Sequence, residues 1–215
     1  MTEAHENPDC QGYTSTIYKL PSSSFPPTIC KSFNEDCVAE HFPTELEAYK
    51  RFEQAANGPP SSILKFHGLH STIPHGLILS YAGNGAMWDY RWGEASSRTA
   101  KPSVGDWAGA SIDGGESHSS YRLRYRLRDE DGVDLARKEG VTVRSGVFAL
   151  GSVVYFMVMG EEVWVELEEP EGDKEVVRMI AAQEWPDVEG VVRGDVVRGC
   201  WEGRYRSTEE VGRAV

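Results

Sequence analysis

The sequence predicts an α+β fold, with a β-rich N-terminal part followed by an α-helical part. Two observations support this fold class. Short runs of apolar and β-branched residues, separated by Gly and Pro, fill most of the first part, where only one segment has helical spacing. In the second part, the run from Val147 to Met159 contains nothing more polar than Gly151, Ser152 and Tyr155. This run predicts a buried helix, and it is too short to span a membrane, which needs about 20 apolar residues.

Composition and charge limit the classes of function. The chain has 215 residues, of which 40% are hydrophobic and 26% charged, as in a globular protein of one domain or two small lobes. The formal net charge of -12 argues against nucleic-acid binding driven by overall charge. The four cysteines lack metal-ligand spacing, and the acidic N-terminus does not resemble a signal peptide. We therefore expect reduced thiols, a cytoplasmic or nuclear protein that is not secreted, and no nucleic-acid or membrane partner.

The β-rich part follows a flexible N-terminus of residues 1–11. Residues 12–20 are typical of a turn that enters a strand, and residues 28–33 of a second strand, with a proline-containing loop between them. Two more strands are predicted at residues 63–70 and 76–81. The histidines in this region are His67, His70 and His75. Because they have no cysteines or carboxylates at ligand spacing, the sequence predicts no metal site there.

One helix is predicted between the second and third strands. It opens at Pro43 and Thr44, with Thr44 as the capping residue, and runs to Glu53 before the Gly-Pro-Pro breaker. Its predicted buried stripe consists of Leu46, Tyr49 and Phe52, with Glu45 on the edge.

The second part contains one basic segment beside its helices. Residues 121–128 alternate apolar side chains with four arginines, and this period of two predicts a half-buried strand with a solvated basic edge. The alternative is that the arginines hold a phosphate or an acidic substrate. Residues 173–182 predict an amphipathic helix, and residues 185–188 a turn.

The order of these elements resembles the N-terminal lobe and hinge of a protein kinase. The closest likeness is to the divergent fungal protein kinase-like family, in which phrases similar to SSILKFHG, GLILSYAGNGAMWDY and GDWAGASIDG recur. The stretch SGVFALGSVV resembles the kinase helix pattern S-D-x-F-A-L-G, with Gly146 in place of the aspartate, and residues 194–201 and 206–211 match the closing helices. The resemblance implies a two-lobed kinase-like domain at residues 12–213. Its N-lobe is 12–79, its hinge 80–82 and its truncated C-lobe 83–213.

The resemblance also implies a site for ATP and magnesium. Lys31 matches the lysine that holds the α- and β-phosphates, and Glu45 matches its helical partner. Asp106 stands in Asp-Trp-Ala where kinases have D-F-G, which implies a magnesium ligand. The glycine-rich loop matches Cys10, Gly12 and Ser15, so only one glycine is kept. The implied ATP-site residues are Gly12, Ile17, Ile29, Lys31, Glu45, Leu79 as gatekeeper, and Tyr81 and Ala82 of the hinge.

The segment that should carry the catalytic loop is missing from this sequence. Between Tyr90 and Val104 there is no H-R-D-x-x-x-x-N motif, so no catalytic base is assigned. Three interpretations stay open: an active protein kinase whose catalytic-loop exon is lost from this sequence, a scaffold pseudokinase, or a decayed copy. The expected partners are ATP and either a protein substrate or a scaffold partner. We expect no phosphotransfer at a meaningful rate from the chain as written.

Overall fold

The structure, a computed structural model, describes residues 10–21, 27–83, 103–113, 115, 117 and 121–214. The described chain forms two compact units. One contains the residues up to 117, and the other contains those from 121 onward. The first unit holds a sheet and one α-helix, whereas the second is mainly helical. The predicted α+β class is therefore confirmed.

The first unit is built on an antiparallel sheet with the strand order β1-β2-β3-β5-β4. Its helix α1, at His41–Gln54, follows a short 3-10 turn at Glu35–Cys37. The helix and the sheet share one core of aliphatic and aromatic side chains. The strands are β1 at Cys10–Gln11, β2 at Ser15–Lys19, β3 at Thr28–Phe33, β4 at Phe66–Leu69 and β5 at Gly76–Ser80.

The third predicted strand is shorter than the sequence suggested. Only Phe66–Leu69 pairs with β5, and Ile63 instead forms an isolated parallel bridge with Val104. The backbone N–H of Leu64 donates to the Val104 carbonyl at 2.9 Å. Ile63 and Leu64 thus pair with the segment before Asp106 rather than with the sheet, whereas the Lys65 carbonyl still accepts from the Ser80 N–H of β5 at 2.9 Å.

Helix α1 begins earlier than its sequence predicted. Thr44 is not the cap, because its Oγ1 lies inside the first turn and donates to the Glu40 carbonyl at 2.8 Å. Pro43 is also in the first turn, where a missing N–H removes no intrahelical bond. Glu45 is not on the edge of the buried face: its side chain is 0% exposed. A pattern based on apolar residues alone cannot place a charged residue at the centre of a buried face.

The second unit contains five α-helices among the residues described from 121 onward. The helix predicted at residues 194–201 is present with the same bounds, and those predicted at 173–182 and 206–211 are present with shifted ends. No helix among the described residues is long and apolar enough to cross a membrane. The helices are α2 at Leu135–Glu139, α3 at Val143–Met159, α4 at Asp173–Ala181, α5 at Gly194–Trp201 and α6 at Thr208–Ala214.

Helix α3 is the apolar run identified in the sequence. Thr142 and Ser145 form a capping box at its start, and Gly160 ends it with a left-handed conformation. Gly151 lets α5 approach closely, since a Cβ there would lie 2.6 Å from the Cys200 Cβ. The predicted burial does not extend over the whole helix, because Val143 and Met159 at its ends are exposed. The helix residues Leu150, Val153, Val154 and Met157 are partly buried.

Residues 121–128 do not form the predicted strand. They contain a 3-10 turn at Leu123–Tyr125, and Arg124 is only 5% exposed. Its guanidinium donates to the carbonyls of Val163, at 2.9 Å, and Trp164, at 3.3 Å, and also to that of Leu167. Because backbone carbonyls and Glu169 satisfy these donors, Arg124 is buried rather than solvated. The predicted basic edge is therefore wrong at Arg124.

A buried polar chain joins this segment to α3 and α5. The Trp201 indole N–H donates to the Ser152 Oγ at 3.1 Å, and this hydroxyl donates to the Arg124 carbonyl at 3.3 Å. Cys200 beside it is a free, buried thiol, as are Cys30 and Cys37 in the first unit. Burial raises the pKa of the Cys30 and Cys200 thiols to about 11, so both are protonated at neutral pH.

Candidate functional site

The first unit places Lys31 of β3 against Glu45 of α1. The Lys31 Nζ lies 2.6 Å from the Glu45 Oε2, and both side chains are buried. A lysine in such a place needs a partner, since an unpaired buried charge is very unfavourable. The pair therefore fixes the direction of the lysine side chain relative to both the sheet and the helix.

Asp106 contacts the same lysine from the other side. Its Oδ1 lies 2.6 Å from the Lys31 Nζ, and its side chain is 75% exposed. The Asp106 backbone has a φ of 65°, a left-handed conformation that aspartate tolerates better than most residues. Lys31 therefore bridges one fully buried carboxylate and one that is open to solvent.

The electrostatics of this cluster are dominated by burial. Burial raises the pKa of the Glu45 carboxyl, while the charge and hydrogen bond of Lys31 lower it and the charge of Asp106 raises it again. Burial, with smaller contributions from Glu45 and Asp106, also raises the pKa of Tyr49. One cation facing two carboxylates leaves excess negative charge, so an anionic ligand here would need an additional cation.

The segment after Asp106 lies along α1. The Trp107 ring meets the Phe52 ring edge-on at 5.1 Å, and Ala108 is buried in the sheet–helix core. Before Asp106, a Cβ at Gly105 would lie 2.6 Å from the Leu64 Cδ1, so a side chain at this position would require Leu64 to move. The backbone on both sides of Asp106 is thus held by packing.

A second ion pair ties the end of this segment to α1. The Arg51 guanidinium donates to both carboxylate oxygens of Asp113, at 2.7 and 2.6 Å, and to Glu47 at 2.8 Å. This contact lowers the pKa of Asp113. Asp113, like Asp106, has a left-handed φ, here 54°. Two aspartates with left-handed backbones are therefore each bound by a cation, one from β3 and one from α1.

The apolar residues picked from the sequence share one face of the sheet. Ile17 is opposite Lys31 in the register of β2 and β3, and Ile29 is opposite Leu79 in that of β3 and β5. Cross-strand partners point to the same side, as do residues two apart on one strand. This face packs on α1, and Leu79 lies in its core with Tyr49.

The remaining predicted site residues, Gly12, Tyr81 and Ala82, form no hydrogen bond with the charged cluster. The Gly12 N–H donates to the Ser15 carbonyl at 2.8 Å in the turn between β1 and β2. Tyr81 follows β5, and its backbone N–H donates to the Pro27 carbonyl at 2.9 Å, so this donor is already used within the sheet. Ala82 is exposed beside it. The predicted hinge at residues 80–82 is within the described part of the chain, whereas residues 84–90 after it lie outside the described residues.

The donor set around Asp106 limits which metal could bind. Magnesium prefers carboxylate, phosphate and water oxygens, and Asp106 offers an exposed carboxylate. In the described part of the chain, no group of three or more His, Cys, Asp or Glu side chains is arranged to hold a metal ion. The residues therefore fit a magnesium ion only if a phosphorylated ligand and water supply most of its ligands.

Sequence reasoning identified the three charged residues but missed the pair of Arg51 and Asp113. The spacing of Glu47 and Arg51 was a visible signal of a helix-surface ion pair. Asp113 lies 62 residues from Arg51 in the chain, and no local pattern joins them.

Two comparisons of the chain with known proteins found no match. No protein-family model and no curated protein matches the chain. Any functional assignment therefore rests on the residues and contacts described above.

Proposed function

We propose that this chain is a protein kinase-like domain that binds ATP with magnesium at Lys31, Glu45 and Asp106, and that it transfers phosphate only negligibly. The observation that supports this most strongly is the position of the Lys31 Nζ, 2.6 Å from both the Glu45 and Asp106 carboxylates. These are the three residues that the kinase resemblance selected from the sequence, across 75 residues of chain.

The fixed orientation of the Lys31 ammonium supports nucleotide binding. Phosphoryl groups carry concentrated negative charge, and a cation stabilises them best when it is fixed before the ligand arrives. Glu45 is fully buried on α1, so it holds the lysine at one place on β3. Asp106 is exposed and would exchange its lysine contact for a magnesium ion bound to the phosphates. Magnesium would supply the positive charge that the cluster lacks.

Catalysis of phosphotransfer needs more than this site. A carboxylate must accept the proton of the substrate hydroxyl, and a second residue must hold another magnesium ion. The sequence contains no H-R-D-x-x-x-x-N motif to supply them. The proposed activity is therefore nucleotide binding without efficient transfer.

Thermal unfolding with and without ATP and magnesium tests this proposal. ATP with magnesium should raise the midpoint of the wild type, and Lys31→Met should abolish the increase. Lys50→Met is the matched control, because Lys50 is an exposed lysine of α1. An equal increase in Lys31→Met would refute the site. Phosphate incorporation from labelled ATP that is lost in Asp106→Asn would refute the claim of inactivity.

One observation favours a second candidate, a non-enzymatic scaffold that needs no nucleotide. The contact of Lys31 with Asp106 already pairs the exposed carboxylate. In that case the ion pairs would stabilise the fold, and ATP would leave the unfolding midpoint unchanged in both the wild type and Lys31→Met.

A further inference from the structure

The turn between β4 and β5 is built around one histidine side chain. His70 follows β4, and its Nδ1 accepts hydrogen bonds from the backbone N–H groups of Thr72, at 3.3 Å, and Ile73, at 3.0 Å. The His70 backbone N–H donates to the Gly76 carbonyl at 2.8 Å, and the Gly76 N–H donates to the Ile73 carbonyl at 3.2 Å. The imidazole and the backbone therefore close this turn together.

The two bonds to Nδ1 fix the protonation state of the His70 ring. A backbone N–H can only donate, so Nδ1 must keep its lone pair, and the single ring proton of neutral His70 lies on Nε2. A protonated imidazole has a donor at both nitrogens. Uptake of a proton would therefore replace the acceptor of two N–H groups by a third N–H that faces them. The turn is compatible only with a neutral His70.

The turn is packed closely against β3, the strand of Lys31. Gly76 begins β5, and the next residue, Leu77, is opposite Lys31 in the register of β3 and β5. A Cβ at Gly76 would lie 2.8 Å from the Cys30 Sγ and 3.0 Å from the His70 Cβ. A change in the turn backbone at Gly76 therefore affects the pairing of β5 beside Lys31.

A second histidine joins the turn to α1, the helix of Glu45. The His75 backbone has a left-handed φ of 56°, and its ring meets the Phe42 ring edge-on at 5.0 Å. Phe42 precedes Glu45 by about one helical turn. The turn therefore contacts both elements that hold the pair of Lys31 and Glu45.

Other ionisable groups lie on the elements around the turn. The buried ones on β3 and α1 are Cys30, Lys31, His41, Glu45 and Tyr49. Burial raises the pKa of the Cys30 thiol to about 11, so this neighbour stays protonated at neutral and acid pH. The other histidines near His70 in the sequence are His67 on β4 and His75 in the turn. The Thr72 and Ile73 N–H groups donate to His70 and not to these side chains.

We propose that His70 is a proton-operated switch of the turn between β4 and β5. While the ring is neutral, Nδ1 holds the Thr72 and Ile73 N–H groups and the turn is closed. When Nδ1 takes up a proton from solvent at mildly acidic pH, both N–H groups lose their acceptor and the turn opens. Opening loosens the contacts with β3 and α1, so that Lys31 holds nucleotide phosphates less firmly. The last step rests on the proposed function.

Amide hydrogen exchange without ligand tests the switch itself. The protection factors of Thr72 and Ile73 are measured at several pH values between about 5 and 8, where histidine titrates. His70→Asn is the decisive variant, because the Asn Oδ1 accepts backbone N–H bonds and does not titrate. His67→Asn is the matched control, since His67 is exposed on β4 and its Nε2 contacts the Ser80 Oγ at 2.9 Å.

We expect protection of both amides in the wild type and in His67→Asn to fall at least about tenfold from pH 8 to pH 5, and to change less than about twofold in His70→Asn. The same pH response in His70→Asn, or constant protection in the wild type, would overturn the switch. Nitrogen-15 NMR of the wild-type ring gives a test without mutation. It should show the proton of neutral His70 on Nε2, and a proton on Nδ1 at pH 8 would also overturn the proposal.

The link to the nucleotide site is tested by the affinity for ATP with magnesium at the same pH values. Acid pH should weaken binding more in the wild type and His67→Asn than in His70→Asn. An equal loss of affinity in all three proteins would overturn this link. A wild type that binds no ATP at pH 8 would refute the proposed function and the link with it, and the amide protection would still decide whether His70 operates the turn.

Discussion

The Glu45 carboxylate lies 2.6 Å from the Lys31 ammonium at the centre of the buried face of α1. A carboxylate with no exposed surface is rare unless it is paired. The contact joins the one α-helix described in the first unit to the middle strand of its sheet. The contribution of this ion pair to stability and its proposed role in nucleotide binding can be tested separately.

Removing the charge of Glu45 should destabilise the first unit. Glu45→Gln should lower the free energy of unfolding by about 3 kcal/mol, because Lys31 would stay buried with only Asp106 as its counter-charge. Urea unfolding followed by circular dichroism gives this quantity. Glu47→Gln on the same helix is the control, since Glu47 is partly exposed and its pair with Arg51 is solvated. Equal effects of the two variants would contradict a structural role for the buried pair.

The pair of Arg51 and Asp113 should be visible in the titration of one carboxyl group. Arg51 lowers the pKa of Asp113, so the stabilisation is present above the ordinary aspartate pKa of about 3.9 and is lost as pH falls through the lowered value. In Arg51→Ala, the pKa of Asp113 should rise to its ordinary value, as measured by carboxyl NMR.

Arg178→Ala is the control for this titration. Arg178 binds Glu175 and Glu184 and lowers the pKa of both. Its removal should raise those two values and leave Asp113 unchanged. An Asp113 pKa that does not move in Arg51→Ala would show that the ion pair is absent in solution.

Arg124 should be intolerant of lysine. Its planar guanidinium donates to three backbone carbonyls between residues 163 and 167, and a single ammonium cannot reproduce that fork. Arg124→Lys should lower the free energy of unfolding by about 2 kcal/mol, because buried carbonyls would lose their donors. Arg122→Lys, at an exposed neighbouring position, should have little effect. Similar unfolding curves for the two variants would contradict the assigned role of Arg124.

Local patterns predicted the elements of this fold better than their ends. Strand β3 and helix α3 were evident because β-branched residues and a long apolar run have few alternative structures. The ends of the elements depended on contacts between residues that are far apart in the sequence, which a local pattern does not contain. Ile63 pairs with Val104 instead of continuing the predicted strand. Arg124 lies in an alternating pattern that predicted a strand, but it binds carbonyls about 40 residues later in the chain.

The candidate site, too, was predicted from the sequence only in part. The resemblance to a kinase selected Lys31, Glu45 and Asp106, and the structure brings these three side chains into contact. The pairing of Arg51 with Asp113 could not be predicted. Both residues are ordinary in their local sequence, and they meet because of how α1 packs against the segment after Asp106.

Calorimetric titration with ATP and magnesium tests most directly whether Lys31 belongs to a nucleotide site. The wild type and the control Lys50→Met should bind with the same affinity, and Lys31→Met should bind at least about tenfold more weakly. Lys31→Met should remain folded, as judged by its circular dichroism spectrum. Absence of binding heat in the wild type, or equal affinity in a folded Lys31→Met, would contradict the claim.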